Sequence, residues 1–472
     1  MEKEIHEILQ KVLERITPSK EQREQIERLA EELRDKVSKT AKEMGVEAEV
    51  RVEGSVAKDT WLSEEPDIDI FMQVSPELPR KMLGSVCLKI ARKATEGARD
   101  IERFAEHPYL ETFIENIRVN IVPCYRVDKG EWKSATDRTP YHTNYVKQHL
   151  NARLRSEVRL LKKFMKGTDV YGAEIKIGGF SGYLCELLTI HYGSFLEVLK
   201  SFAEWKGKTV IDIEGYYEHR NDELPRLFPE PLVMIDPVDA GRNVAAAVRR
   251  EKIDLFVAAS RGFLKKPSQK FFYPPLTQPL NETAIRQRIK SRGTALLFLV
   301  FGKVNAVSDV LWGQLYKTQR ALRKTMEKCD FKILRAGAWS DEETVSILVF
   351  ELEQAKLPLV KKHLGPPLEK KSECEEFLRK YLDSERTVCG PFVEGGRWVV
   401  EIQRRENDVV ELLRRKLADG GRRVGVAERI AEAVRERFEV LLNENILNIY
   451  ASNRGFAEFL TDFLAGKPKW LE

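Results

Sequence analysis

Asp67 and Asp69, separated by Ile68 in the run DIDIFMQV, are the two side chains of this 472-residue sequence whose types and spacing best suit chemistry. On an extended strand, positions i and i+2 project from one face about 6.5–7 Å apart, so the two carboxylates point together while Ile68 and Ile70 enter a core. Such a pair can share divalent cations, because Mg²⁺ takes hard oxygen ligands and completes its shell with waters and phosphate oxygens. In a two-metal arrangement the ions lie ~3.5–4 Å apart, one activating an attacking hydroxyl and the other steadying a leaving group. The same spacing also suits the solvated edge of a strand. Upstream, Gly54 and Ser55 open the stretch GSVAKDTW. It reads as a turn from a strand into a short helix, offering backbone N–H groups and a hydroxyl to a phosphate, with Lys58 adding charge. An ordinary strand-to-helix turn has the same look.

The elements that must hold these residues are legible around them. Ile5, Ile8, Leu9, Leu13 and Ile16 recur at helical spacing; Thr17 and Pro18 mark a second start, after which Ile26, Leu29, Leu33 and Val37 continue the stripe. Gly45 ends that helix, AEVRVEGS alternates as a strand, DIDIFMQV is a second strand and NIRVNIVPCYRV a third, with a helix near residues 79–98 between the last two. Further on, ARLRSEVRLLKKFMKG sets Leu154, Val158, Leu161 and Met165 on one side and Arg155, Arg159, Lys162 and Lys166 on the other, an amphipathic helix with a basic stripe. Apolar helices follow in GGFSGYLCELLTIHYGSFLEVLKSF and NVAAAVRREKIDLFVAASRGFL, giving a mainly helical middle. The proline-rich KPSQKFFYPPLTQPL reads as a boundary. Beyond it, GTALLFLVFGK, FKILRAGAWS, TVSILVFELE and GRWVVEIQRR read as strands around the helix VLWGQLYKTQRALRKTMEKC, an α+β module.

Bulk composition narrows the class. The length exceeds what one core usually organises, and ~150 residues per domain suggests about three domains: 1–143, 144–264 and 265–472. The formal charge of +5, from 79 basic and 74 acidic residues, permits a polyanionic partner without demanding one. The six cysteines form no CxxC pair, so neither a zinc site nor a disulfide framework is signalled, and a reducing cytoplasm is expected. The first residues lack a signal-peptide pattern and no run of 18 apolar residues occurs, so neither export nor membrane insertion is expected.

Gly-Ser, then Asp-x-Asp on the next strand, then a third strand with another ligand is the order of the polymerase-beta-like nucleotidyltransferases, which this sequence resembles. Within that superfamily, AEHPYL, VPCYRV, SATDRTPYHTNYV, EVRLLKKFMKG, YGAEIKIGGFSGYLCELL and IDPVDAGRNVAAAV are similar to the archaeal-type, class I CCA-adding enzymes, the tRNA nucleotidyltransferases. The resemblance spans residues 54 to about 248. It implies an α+β fold: a catalytic nucleotidyltransferase head, a helical neck, and a C-terminal α+β RNA-binding body and tail. It implies addition of C, C and A to the 3′ end of tRNA from CTP and ATP, with Mg²⁺ on Asp67 and Asp69. The tRNA acceptor stem and T-arm would be the partner, and a homodimer is admitted.

The resemblance also assigns residues. Gly54, Ser55 and Lys58, the last where an arginine is common, would meet the triphosphate. His142, Lys162 and Tyr171 would hold phosphates and ribose, although a lone His or Tyr equally suits a packed core. Arg242 and Asn243 would supply the base-reading edge, while Asp236, Pro237 and Asn243 also suit a turn and a helix cap. His107 would be packed near the site or meet the primer, and Arg155, Arg159 and Lys166 would face RNA or form only a solvated helix face, while Arg320, Arg323, Lys324, Lys361, Lys362, Arg404 and Arg405 in the C-terminal half suit phosphate contacts to the tRNA. One position departs from the pattern. Where the family carries its third carboxylate, RVNIVPC places Asn120, which offers an oxygen without charge. That is expected to impair transfer more than nucleotide binding, whether it is a deliberate inactivating substitution, the favoured reading, or a natural variant. A poly(A) polymerase or terminal uridylyltransferase, and a non-catalytic RNA-binding protein on this scaffold, are the rival readings.

Overall fold

Ser19 opens the helix that backs the first sheet: its hydroxyl accepts from the Gln22 N–H, and the Gln22 side chain returns to the Ser19 N–H at 3.0 Å, a capping box. The computed structural model describes residues 2–104, 107–219 and 222–471. Its contacts divide the chain into Met1–Pro275 with Pro468–Glu472, and Leu276–Lys467; the division falls inside the proline-rich stretch.

The first unit begins with helices α1 (Glu2–Ile16) and α2 (Lys20–Glu43), then β1 (Ala48–Glu53), the short α3 (Gly54–Lys58), β2 (Asp67–Val74), α4 (Arg80–Ala94), β3 (Arg99–Phe104), β4 (Pro108–Ile114) and β5 (Ile117–Tyr125). The five strands form one sheet in the order β1-β2-β5-β4-β3. Only β2 and β5 run parallel. Alternation along β2 and β5 sends Ile68, Ile70, Met72, Val119 and Ile121 into a core with Ile26, Leu29, Leu33 and Val37 of α2 and Leu83, Cys87 and Ile90 of α4. The opposite face therefore carries Asp67, Asp69 and Asn120. Strands β3 and β4 have no counterpart in the sequence reading, because RDIERF and PYLETFI mix charged and apolar positions without a clear period.

The chain continues through α5 (Thr139–His149), α6 (Ala152–Gly167), α7 (Gly182–Tyr192), α8 (Phe195–Ala203), β6 (Thr209–Ile211), α9 (Leu224–Leu227), β7 (Leu232–Asp236), β8 (Asp239–Asn243) and α10 (Arg250–Lys265). The expected helical middle thus also holds a small sheet ordered β6-β7-β8. Phe164 of α6 lies among Phe195, Phe256, Phe263, Phe271 and Phe272 in the core, and Trp470 stacks on Phe271 at 5.0 Å. Helix α6 spans the residues its periodicity predicts, but its basic side is not a uniformly solvated face: Arg159 and Lys162 are buried.

The second unit comprises α11 (Glu282–Ser291), β9 (Ala295–Phe301), α12 (Ser308–Glu327), β10 (Ile333–Ser340), β11 (Ser346–Leu352), β12 (Val360–Pro367), α13 (Lys371–Tyr381), β13 (Thr387–Glu394), β14 (Arg397–Gln403), α14 (Val409–Leu417), α15 (Glu428–Glu436), β15 (Phe438–Leu442), α16 (Leu447–Ser452) and α17 (Arg454–Ala465). It carries two sheets, β10-β11-β9-β15 and β12-β14-β13. Strand β9, ALLFLVF, is buried along its whole length, packing on α12 through Leu297 and Leu299 and on α17 through Phe298.

Candidate functional site

Register builds the carboxylate half of the site. Asp69 lies opposite Glu53 on β1 and opposite Asn120 on β5, and Asn120 lies opposite Glu111 on β4, so four polar residues cross the sheet in one row. Asn120 Nδ2 donates to Asp69 Oδ1 at 3.0 Å. Asp67, one step along the same face, accepts from Arg118 Nε at 2.8 Å and pairs also with Arg118 Nη2. Burial raises the Asp69 carboxyl to about 6; the Asn120 hydrogen bond opposes that rise and the Asp67 charge adds to it. Gly54 is required beside Asp69. Its φ is +68°, and a Cβ there would lie 1.9 Å from Asp69 Oδ2.

These residues suit a divalent cation. Asp67, Asp69 and the Asn120 amide are all oxygen donors, and Gly54 leaves space at Asp69 that a larger residue would fill. Among the described residues, no group of three or more His, Cys, Asp and Glu side chains could hold a metal. The set is therefore one carboxylate short of three.

Helices α3, α6 and α7 build the cationic half. Glu186 of α7, fully buried, accepts from Lys58 Nζ at 2.6 Å, Thr60 Oγ1 at 2.6 Å and Lys162 Nζ at 3.2 Å. Burial pushes its carboxyl up, but Lys58 and Lys162 outweigh that and hold it at about 2. Two lysines on one carboxylate leave one positive charge over. Gly182, at the start of α7, admits Tyr171 and Lys162 closely: a Cβ there would lie 3.0 Å from the Tyr171 hydroxyl oxygen and 3.6 Å from Lys162 Nζ.

A third cluster joins α5, α7 and the β7–β8 turn. Asp236, fully buried, accepts on Oδ2 from His142 Nε2 at 2.9 Å and Arg242 Nη1 at 2.6 Å, and on Oδ1 from the Tyr183 hydroxyl at 3.2 Å and the Val238 N–H at 3.1 Å. The His142 and Tyr183 rings stack at 4.1 Å, and Lys58 Nζ lies 5.8 Å from the Tyr183 centroid. Burial keeps His142 below its ordinary range against the pull of Asp236, so the imidazole is neutral near pH 7 with Nε2–H toward the carboxylate.

Three family descriptions match the chain in order: the nucleotidyltransferase domain over residues 26–142, the tRNA nucleotidyltransferase second domain over 156–273, and the CCA-adding enzyme C-terminal domain over 292–443. The CCA-adding enzyme of Methanosarcina acetivorans is 39% identical over 93% of this chain and 94% of its own length. The chain belongs to the archaeal CCA-adding enzyme family. A second member, from Methanothermobacter thermautotrophicus, is 36% identical over 96% of this chain and 97% of its own length. A solved structure of the RNA terminal uridylyl transferase Cid1 aligns with a TM-score of 0.45 at 16% identity, over 58% of this chain and 98% of that one.

Against this family's pattern, the structure brings Asp67, Asp69 and Asn120 together on one face, and Lys58, Lys162, Tyr171, His142 and Arg242 into the adjoining clusters. Asn243 sits elsewhere. Its Oδ1 accepts from the Met234 and Ala245 N–H groups, both at 2.9 Å, and its Nδ2 donates to the Leu232 carbonyl at 3.1 Å and to Glu230 Oε2 at 3.4 Å. It clamps β7 to the following turn and caps no helix. Arg155 and Arg159 pair with Asp59, Lys166 pairs with Glu65, and His107 is buried at the head of β4. Glu186, Tyr183, Thr60 and Arg118 were absent from the sequence reading. Glu186 alone left a trace there, as one acid in the otherwise apolar run GYLCELLTIHY.

Proposed function

We propose that this protein adds C, C and A to the 3′ end of tRNA from CTP and ATP with release of pyrophosphate, and that Asn120 slows its chemistry. One observation carries the reading: the parallel β2–β5 register that sets Asn120 opposite Asp69, on the face that also carries Asp67, beside a glycine whose missing side chain keeps Asp69 approachable. Family membership over nearly the whole chain supports the substrate.

Asp67 and Asp69, with the Asn120 oxygen as a neutral third donor, would hold Mg²⁺. When bound, the metal supplies charge neutralisation for the triphosphate and acidity for the attacking 3′-hydroxyl. The Gly54–Ser55 turn and Lys58 receive phosphate oxygens; Lys162, held by Glu186 and Thr60, adds the second cation, and Tyr171 closes the ribose side. Neutral His142 and the Arg242 guanidinium face the base. The three-part organisation, 1–143 head, 144–264 neck and 265–472 body and tail, places catalysis in the first part and tRNA binding in the last, in the cytoplasm.

The acceptor stem and T-arm are the RNA parts assigned to the C-terminal half. There Arg323, Lys361, Lys362 and Arg404 pair with acids of the same unit. Arg320, Lys324 and Arg405 form no ion pair among the described residues, so they are the stronger candidates for phosphates, with affinity that falls as salt rises.

The test is incorporation from each of the four nucleoside triphosphates on tRNA transcripts lacking A, CA or CCA, by this chain and by Asn120→Asp. Ordered use of CTP then ATP supports the reading, whereas untemplated runs of A or U refute it. Asn120, donating to Asp69, favours one second reading, a tRNA-binding protein without transfer; tight tRNA binding with no incorporation by either chain would establish it.

A further inference from the structure

Strand β7, LVMID, is buried from end to end, and a carboxylate at the end of such a strand is stable only if its oxygens are engaged. Both oxygens of Asp236 are engaged, by His142, Arg242 and Tyr183, the first two of which the proposed function assigns to the base. Arg242 commits Nη1 to this contact while 40% of its side chain stays exposed. Among the described residues, its Nη2 and Nε have no partner. A long flexible cation is thereby oriented before any ligand arrives, which removes ordering that binding would otherwise require.

We propose that Asp236 is the positioning residue for base selectivity: it holds the Arg242 guanidinium as a fixed donor edge that accepts bases with an unprotonated ring nitrogen on the Watson–Crick edge. This rests on the nucleotide-binding reading above. Cytosine and adenine present a ring-nitrogen acceptor at that edge, whereas uracil and guanine present an N–H, so a donor fixed there meets acceptors in the first pair and donors in the second. An unanchored guanidinium swings toward the carbonyl oxygens of uracil or guanine and loses the distinction. The carboxylate touches no reacting atom, so its removal alters which base is held and leaves the phosphate contacts of Lys58 and Lys162 in place.

The test measures binding of CTP, ATP, UTP, GTP and inorganic tripolyphosphate to the full chain with Mg²⁺ and a 3′-deoxy tRNA transcript, which forbids incorporation. Asp236→Asn should shrink the preference for CTP over UTP by about ten-fold or more, the worth of one well-made bidentate base contact. Its tripolyphosphate affinity should change by less than about two-fold. Unchanged preference, or equal weakening of all five ligands, overturns the proposal. Arg242→Gln separates the two levels: if it leaves preference intact, the assignment of Arg242 to the base is wrong. If Arg242→Gln abolishes preference and Asp236→Asn does not, the role of Asp236 is wrong. Should Asp236→Asn fail to fold, Asp236→Asn with Arg242→Gln, which leaves no unpaired charge between them, is compared with Arg242→Gln alone. Equal preferences support the anchoring role, and a further loss in the double variant overturns it.

Discussion

Asn120 on β5 and Glu186 on α7 each stand between two like-charged side chains, and they balance charge in opposite ways. Asn120 is neutral and shares one face of the sheet with Asp67 and Asp69, of which only Asp67 has an ion-pair partner, Arg118, among the described residues, so that half is left to take a cation from outside. Glu186 is ionised, buried and shared by Lys58 and Lys162, so the other half is neutralised to one residual charge by the protein itself. The difference separates holding a triphosphate from reacting it. The lysine half is complete without any ion, whereas the carboxylate half keeps Asp69 raised to about 6 because burial and Asp67 disfavour its charge.

The largest effect should come from breaking the lysine half. Glu186→Gln leaves two buried ammonium groups without a counter-charge, and removing one partner of a buried pair typically costs about 3–5 kcal/mol. The pH dependence has a definite sign. Glu186 is held at about 2, below its ordinary 4.5, by Lys58 and Lys162 against burial. Its stabilisation is therefore present above pH 4.5 and lost as pH falls toward 2. The Tm gap between the chain and Glu186→Gln should be full near neutrality and shrink below pH 4.5. A gap that stays constant across that range would show that the lysines are not what Glu186 serves.

Restoring the carboxylate half comes next. Asn120→Asp should raise incorporation by about 10²–10³-fold, the size of effect seen when one group aimed at developing charge is added or removed. It should also lower Tm without metal, because the Nδ2 donor to Asp69 is replaced by a third negative oxygen, and regain Tm with Mg²⁺. Equal rates for the two chains, with no metal-dependent change in Tm, would remove Asn120 from the ligand set and erase the contrast between the halves.

The sequence made the carboxylate half easy to read because strand period alone places Asp67 and Asp69, and the Gly54–Ser55 turn abuts them in the chain. Helix α6 was legible for the same reason: its period shows in a single stretch. The lysine and Asp236 clusters were hidden because their members come from distant stretches, Lys58 and Glu186 lying 128 positions apart and His142 and Asp236 94. The resemblance supplied Lys58, Lys162, His142 and Arg242 but not the buried acids that position them. Burial also misled. Arg159 follows the basic period of α6, yet it turns inward to the Trp61 carbonyl, because Asp59, in a left-handed conformation after α3, offers it a carboxylate. Strands β3 and β4 were missed because their stability comes from pairing onto β5 more than from any period of their own.

The smallest expected effect tests whether the carboxylate half is restrained by its own neighbour. Arg118 lies opposite Asp67 in the parallel register and grips both of its oxygens, but both side chains are partly exposed, so water and salt screen the pair and it is worth about 0.2–1 kcal/mol. A cation seeking Asp67 competes with that grip. Arg118→Gln removes both the competitor and a repelling charge, and should tighten Mn²⁺ binding by about two- to five-fold, read by calorimetry or electron paramagnetic resonance in low salt. The gain should fade as ionic strength rises, since screening weakens the Arg118 contribution first. If Arg118→Gln instead weakens Mn²⁺ binding, the guanidinium is orienting Asp67 toward the metal rather than withholding it. The carboxylate half would then be preorganised by a protein cation just as the lysine half is by Glu186.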